Sequence, residues 1–121
     1  MDMKSNNIGK LGEVKAVEYL KSHNYSILKT NYHSRYGEID IIAEKNNIIC
    51  FIEVKTRKKN AYITPSEFVN HSKQNKIMMT ANSYIISNFS EKFSYRFDII
   101  EVFHYNSYIF EINHLKGAFE L

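Results

Sequence analysis

The sequence lacks the features that mark a secreted or membrane-bound protein. Its single cysteine, Cys50, has no intramolecular disulfide partner and falls in a predicted strand, where a buried, unreactive thiol is expected. No run approaches the roughly 18 apolar residues that a membrane span requires, and the N-terminal segment MDMKSNNIGK has no apolar stretch of the kind found in signal peptides. We therefore expect a cytoplasmic protein with no membrane contact.

The sequence also has little excess charge. Sixteen Lys plus Arg against 13 Asp plus Glu give a net charge of +3, which permits nucleic-acid binding without arguing for it. The densest basic run is KTRKK, residues 55 to 59, and by itself such a run is usually a solvated loop. With 121 residues and 44% hydrophobic composition, we expect residues 1–121 to form a single domain with its own core.

A first helix is predicted over residues 8 to 22. One face carries an acid among apolar residues at the spacing i, i+3, i+4 and i+7, namely Glu13, Ala16, Val17 and Leu20. Gly9 and Gly12 weaken an isolated helix by about 1 kcal/mol each relative to alanine, which indicates a close backbone approach near the helix start. Docking of the apolar face on a sheet would therefore carry Glu13 towards the strand ends.

A strand over residues 26 to 32 is followed by a predicted hairpin. Residues 38–43 and 48–55 are rich in Ile, Val and Phe and flank Asn46 and Asn47, which tolerate the positive φ of a tight turn. If these two asparagines form the loop, Asp40 lies directly opposite Glu53. Strand alternation then divides the side chains into one face with Glu38, Asp40, Ile42, Phe51, Glu53 and Lys55, and an apolar face with Ile39, Ile41, Ala43, Cys50, Ile52 and Val54.

The second half of the sequence predicts one helix and two strands. After a loop over residues 56 to 63, Thr64-Pro65-Ser66-Glu67 has the form of a capping box that begins a helix ending near Ser87. One broad face of this helix contains Val69, Lys73, Lys76, Ile77, Thr80, Ala81 and Tyr84. Strands follow at 94–103 and 107–113, and the pair Ala118-Phe119 should dock on the core. The order α, β, β, β, α, β, β predicts an α/β domain on one mixed sheet.

Two carboxylates opposite each other on adjacent strands repel, so the pair Asp40 and Glu53 needs compensation. A divalent cation such as Mg²⁺ provides it, because hard cations prefer carboxylate oxygens. Lys55 lies two residues beyond Glu53 on the same face, where its ammonium group would hold a water beside the metal. Glu13 would complete the acidic group.

Simpler interpretations exist for each of these residues. Asp40 and Glu53 would be solvated if that sheet face were exposed, with Lys55 and Arg57 forming surface ion pairs worth at most about 1 kcal/mol. Glu13 would interact only with the helix dipole. Glu38, opposite Lys55, suits an ion pair better than a metal.

Other polar and aromatic residues carry no distinctive signal. The five histidines have no metal-binding spacing and are interpreted as surface residues. Tyr95, Phe97 and Tyr108 are interpreted as core residues of strands rather than a platform for stacking bases.

Four short motifs together resemble those of a known family. They are G-x-x-G-E ending at Glu13, G-E-I-D-I-I-A around Asp40, E-V-K-T-R from Glu53, and R-F-D ending at Asp98. In order and spacing they resemble the YraN-like family of bacterial proteins, which are similar to archaeal Holliday-junction resolvases and belong to the PD-(D/E)XK nuclease superfamily. The resemblance implies a restriction-endonuclease-like fold with a central mixed β-sheet flanked by helices.

The resemblance also implies roles for individual residues. Asp40, Glu53 and the backbone carbonyl of Val54 would bind Mg²⁺ or Mn²⁺, Lys55 would assist the attacking water, and Glu13 would complete the site. The activity implied is metal-dependent hydrolysis of phosphodiester bonds in nucleic acid, with branched DNA as one substrate class. Phosphates would be contacted by the basic residues Arg57, Lys58, Lys59, Lys73 and Lys76, so binding should weaken as salt rises.

Two other functions remain open at this stage. The same fold would also suit a module that binds nucleic acid without cutting it, or an adaptor in DNA repair or uptake whose acids only stabilise the fold. A homodimer is expected if the substrate is a four-way junction, because the two-fold symmetry of the dimer would then match that of the junction.

Overall fold

A computed structural model describes residues 5–58, 70–106 and 108–120. In chain order, the elements within these ranges are α1 (Ser5–Ser22), β1 (Ser26–Ser34), β2 (Gly37–Lys45), β3 (Ile48–Lys58), α2 (His71–Ser87), β4 (Ser94–His104) and β5 (Phe110–Phe119). This is the predicted order. None of the described helices is both long enough and apolar enough to cross a membrane.

The five strands form one mixed sheet in the order β1-β2-β3-β4-β5. Neighbouring strands are antiparallel except β3 and β4, which are parallel. Parallel neighbours need a long crossover connection, and α2 lies on the connection from β3 to β4. The predicted α/β architecture, with a central mixed sheet flanked by helices, is therefore confirmed.

Among the described residues, one helix packs on each face of the sheet. On one face, Ala16 and Leu20 of α1 are fully buried against apolar side chains of the middle strands, such as Ile52. On the other face, Ile77 and Ala81 of α2 contribute to a second buried cluster. The interpretation of Asp40 and Glu53 as acids of a solvated sheet face is therefore wrong for Glu53, since α2 covers that face and Glu53 is only 8% exposed.

The hairpin between β2 and β3 has the predicted turn and register. Asn46 and Asn47 have φ values of 54° and 63°, in the left-handed region that a tight turn of this kind needs. The ladder runs from the pair Lys45–Ile48 to the pair Ile41–Ile52, as predicted. The ladder ends there. Asp40 and Glu53 were expected to be the next pair, but they are not ladder partners.

The predicted alternation also fails beside Asp40. Ile39 packs in the cluster on the α2 face, whereas Ile41 packs on the α1 face, although the sequence placed both on one face. The neighbouring strand is irregular at this level, because Asn31 of β1 has a φ of 51°. The side chains of β2 therefore change face at the level of this irregularity.

Several predicted boundaries differ from the structure. Residues 56–58 are not a loop, because they continue β3 and pair with residues 102–104 of β4. The helix does not run unbroken from Thr64, since α2 begins at His71 with the extended residue Asn70 as its N-cap. The predicted capping box and Val69 lie outside the described residues.

The C-terminal strand is longer than predicted and begins later. It covers Phe110–Phe119 instead of 107–113, and the ring of Phe119 stacks on Phe97 with centroids 4.9 Å apart. Docking of the C-terminal pair on the core is thus confirmed for Phe119. Tyr108, which was interpreted as a core residue of a strand, precedes β5 and is 89% exposed.

The R-F-D motif forms a buried polar network. Asp98, with no exposed surface, accepts two hydrogen bonds from Arg96, at 2.8 and 2.9 Å, and one from the backbone N–H of Gly117 at 2.9 Å. The ring of His114 lies 2.8 Å from Asp98 through Nε2 and 2.9 Å from the Tyr19 hydroxyl through Nδ1. The interpretation of all histidines as surface residues is therefore wrong for His114. The network ties β5 to β4 and to α1.

Candidate functional site

Glu13 is positioned by a close contact between α1 and β3. A Cβ atom added to Gly12 would lie 2.0 Å from the Thr56 hydroxyl oxygen, so only glycine allows the helix to come this near. The predicted close approach is therefore confirmed for Gly12, but not for Gly9, where an added Cβ would meet nothing within 4 Å. Glu13 follows Gly12 directly and is half-buried. Burial raises its pKa, and the charges of Glu38 and Glu53 raise it further.

Asp40 lies where β2 and β3 separate. Its Oδ2 accepts a hydrogen bond of 2.8 Å from the backbone N–H of Val54, which replaces the missing ladder contact. Burial raises the pKa of Asp40 to about 7, and the nearby charge of Glu53 acts in the same direction, while the Val54 hydrogen bond opposes the rise. Asp40 is therefore an acid in a site that disfavours its charge.

Glu53 contacts two lysines through the same oxygen atom. Lys73 Nζ lies 2.5 Å from Oε1 and Lys55 Nζ lies 3.5 Å from it. Burial lowers the pKa of Lys55, and Lys73 lowers it further. For Lys73, burial also favours the neutral form, but the contact with Glu53 outweighs it and raises the pKa. The Lys55 contact agrees with the predicted position of Lys55 on the same face as Glu53, whereas the contact of Lys73 with an acid was not predicted.

Glu38 does not pair with Lys55 as expected. Its Oε2 lies 3.6 Å from Nδ1 of His33 on the neighbouring strand, and both side chains are largely exposed. Glu38 nevertheless contributes negative charge to the site, because it raises the pKa of both Glu13 and Asp40.

Two surface grooves meet at Asp40. The first, which we call the α2 groove, has a volume of about 480 Å³ and is lined by Glu38, Asp40, Glu53, Asn70, Lys73 and Lys76 among others. The second, the α1 groove, has a volume of about 650 Å³ and is lined by Glu13, Val14, Val17 and Asp40 among others. The α1 groove is mainly apolar, whereas the α2 groove combines acids with lysines. A polymer chain following either groove would pass Asp40.

The predicted phosphate-binding residues differ in their position relative to the α2 groove. Lys73 and Lys76 line it, and strand alternation places Arg57 on the same face of β3 as Glu53. Lys58 ends β3 on the opposite face and is exposed. Lys59 lies outside the described residues. The described basic residues therefore lie on two sides of the acids rather than in one patch.

The donor set fits a divalent ion that is also bound by its substrate. Within the described ranges, no three carboxylate, imidazole or thiolate groups lie close enough to hold an ion by themselves. Mg²⁺, however, is commonly bound through one or two carboxylates together with water and substrate phosphates. Asp40 and Glu53 supply such a pair. The carbonyl of Val54 points to the same side of β3 as its N–H group, which faces Asp40.

Comparison with known proteins gives a consistent family match. Residues 12–102 match the model of a family described as "Uncharacterised protein family UPF0102". The chain is 47% identical over 114 residues to a UPF0102 protein of Alkaliphilus oremlandii, covering 93% of this chain and 97% of the relative. A UPF0102 protein of Clostridium beijerinckii is 46% identical over 116 residues, covering 95% and 94%. One of Persephonella marina is 44% identical over 113 residues, covering 93% of both chains.

Proposed function

The chain belongs to the UPF0102 family, the YraN-like family that its motifs resemble, and we propose that it is a Mg²⁺- or Mn²⁺-dependent phosphodiesterase that cuts nucleic acid, DNA in particular. The observation that carries the proposal is the arrangement of Asp40 and Glu53 where β2 and β3 separate, with Lys55 on the Glu53 carboxylate and an open groove beside them. Burial and the charge of Glu53 disfavour the charged form of Asp40, so this acid does not help the protein to fold. A charge kept at a cost in stability supports a role for Asp40 in binding a cation.

Each residue of the site has a distinct role in this proposal. Asp40, Glu53 and the Val54 carbonyl would bind the ion, with Glu13 contributing from the α1 side. When bound, the ion would polarise a phosphate oxygen and lower the pKa of a coordinated water. Lys55 holds the attacking water through Nζ. Its lowered pKa favours this role, since a less basic amine exchanges protons with water more readily.

The surrounding lysines and arginine would bind the nucleic-acid backbone. Lys76 in the α2 groove and Arg57 on β3, which lie on the same face of the sheet as Glu53, would make these contacts. Contacts to phosphate release counterions, so affinity should fall steeply as the salt concentration rises. Such contacts position the backbone without reading the sequence of bases.

The proposal is tested by a cleavage assay with four substrates: a four-way DNA junction, linear duplex DNA, single-stranded DNA and single-stranded RNA. We expect cleavage of at least one substrate in Mg²⁺ or Mn²⁺, none in EDTA, and a loss of at least about 100-fold in Asp40→Asn, by analogy with the loss of one transition-state contact. The matched control is Glu44→Gln, which makes a similar charge change on the same strand, where Glu44 pairs with Ile49. No cleavage of any substrate by the wild-type protein would refute the proposal.

A second candidate is a module that binds nucleic acid without cutting it. The contact of both Lys55 and Lys73 with Glu53 favours it, because these two cations already neutralise one of the acids. The module would bind DNA in a salt-dependent manner, lose affinity in Arg57→Gln, keep it in Asp40→Asn and show no nicking in Mn²⁺. An adaptor would show no salt-dependent affinity for DNA at all. Sedimentation with and without junction DNA would test whether the protein acts as a homodimer.

A further inference from the structure

A distinctive feature of the site is that two lysines contact the single carboxylate of Glu53. One carboxylate oxygen receives two ammonium groups, at 2.5 Å from Lys73 and at 3.5 Å from Lys55. Because both ammonium groups lie close to the same oxygen atom, they are also close to each other and repel. One of them is therefore surplus as soon as a further cation approaches Glu53.

The two lysines differ in their freedom to leave. The Lys55 side chain is 23% exposed, whereas the Lys73 side chain is 42% exposed and lines the α2 groove. The backbone of Lys73 is fixed, because its N–H donates to the side chain of the N-cap Asn70 at 2.9 Å. Its long side chain can therefore turn from Glu53 into the groove without any change in the helix.

We propose that Lys73 is a resident cation of the site: its ammonium group occupies Glu53 until a divalent ion replaces it, and then binds a nucleic-acid phosphate in the α2 groove. This inference rests on the proposed function, since it requires a metal ion at Glu53. It assigns Lys73 a positioning role that differs from that of Lys55, which stays with Glu53 throughout.

The exchange links metal binding to nucleic-acid binding. Without nucleic acid, the incoming ion must displace an ammonium group that then has only water as a partner. With nucleic acid present, the released ammonium group gains a phosphate, so each ligand strengthens the binding of the other by the same factor. Lys73 thus makes the site select a metal ion and a phosphate together.

The test is calorimetric titration of Mn²⁺ into the full chain, with and without a phosphorothioate-modified DNA duplex that resists cleavage. The variants are Lys73→Met, Lys73→Gln as a second variant with the same expectation, and Lys76→Met. Lys76 lines the same groove from the same helix, and the ion pairs of Glu53 within the described residues come from Lys55 and Lys73. Lys76→Met therefore measures the general effect of losing one positive charge.

Without DNA, Lys73→Met should bind Mn²⁺ about tenfold more tightly than the wild type, which corresponds to about 1.4 kcal/mol. Lys76→Met should change the affinity by less than about twofold, because its charge does not have to be displaced. Adding the duplex should increase the Mn²⁺ affinity of both proteins. The fold-increase in the wild type should be at least about three times the fold-increase in Lys73→Met.

Equal or weaker Mn²⁺ binding by Lys73→Met would overturn the inference, as would an equally large gain in Lys76→Met. These results leave the proposed function standing if the wild type binds Mn²⁺ and Asp40→Asn does not. If no variant binds Mn²⁺ even with the duplex, the proposed function fails and this inference fails with it. The urea midpoint of each variant shows whether it is folded.

Discussion

Replacing Gly12 by alanine tests how α1 is held against the sheet. The added Cβ would lie 2.0 Å from the Thr56 hydroxyl oxygen, about 1.4 Å closer than the distance at which ordinary contacts begin. Thr56 lies within β3 and pairs with Val102, and a β-branched side chain has little rotamer freedom with which to withdraw. The helix must therefore move away, and overpacking of this kind costs about 1–3 kcal/mol.

The same substitution also has a favourable term. Alanine stabilises a helix interior by about 1 kcal/mol relative to glycine. Gly9 lies in the same helix and has nothing within 4 Å of its added Cβ, so Gly9→Ala has the favourable term alone. In urea unfolding we therefore expect Gly9→Ala to be more stable than Gly12→Ala by about 1–3 kcal/mol, because the helix propensity term cancels between the two variants.

A third variant identifies the contact responsible. Thr56→Ala removes the atom at 2.0 Å and leaves the Cβ at 3.1 Å. The double variant Gly12→Ala/Thr56→Ala should therefore recover part of the loss, as a coupling energy of about 1 kcal/mol or more in a double-mutant cycle. If Gly12→Ala is as stabilising as Gly9→Ala, or if the cycle shows no coupling, then α1 is not held by this contact and the reasoning for the position of Glu13 is wrong.

Three further predictions concern stability. Because burial raises the pKa of Asp40 to about 7, the folded state keeps a proton that the unfolded state releases, so stability without metal should fall between about pH 4 and pH 7. The free energy of unfolding should decrease by at most about 4 kcal/mol over this range, and Asp40→Asn should remove the decrease. Urea titrations across that pH range measure both. Although burial opposes it, the contacts from His114 and Arg96 lower the pKa of Asp98 to about 2, so its contribution should be present above about pH 4 and lost towards pH 2. Asp98→Ala should cost about 3–5 kcal/mol at pH 7, and a cost below about 1 kcal/mol would contradict the buried network. Phe119→Ala should cost about 1 kcal/mol or more in the same assay, because it removes the ring stacked on Phe97.

The hairpin of β2 and β3 was predictable because its determinants are local. Two asparagines with positive φ fix the turn, and the turn fixes the register of the pairs next to it. The error began at Asp40, where the ladder ends and Ile39 turns to the other face. The change of face coincides with the left-handed residue Asn31 on the neighbouring strand, and a pattern read along β2 alone carries no information about that strand.

The role of His114 was missed for a similar reason. A histidine in isolation gives no spacing signal, and its partners Asp98 and Tyr19 lie 16 and 95 residues away in the chain. The R-F-D motif showed that Asp98 mattered but not what it contacts. In the structure Asp98 makes four contacts, two with Arg96 of β4 and one each with His114 and Gly117 of β5. These contacts explain how its charge is buried without a catalytic role.

The contact of Lys73 with Glu53 was, by contrast, within reach of the sequence. Lys73 precedes the buried residues Ile77 and Tyr84 at helical spacing, so it shares the side of α2 that faces the sheet, wherever the helix begins. A lysine at the edge of a buried helix face is stabilised by an acid within its reach. The alternation of the hairpin strands likewise placed Asp40 and Glu53 together on one face of the sheet. The sheet face and the helix face were interpreted separately, so the acids were predicted to bind a metal ion and Lys73 to bind a phosphate. If the two faces are considered together, they predict an ion pair between Lys73 and Glu53. Any metal ion or phosphate must then compete with a contact that the protein already makes.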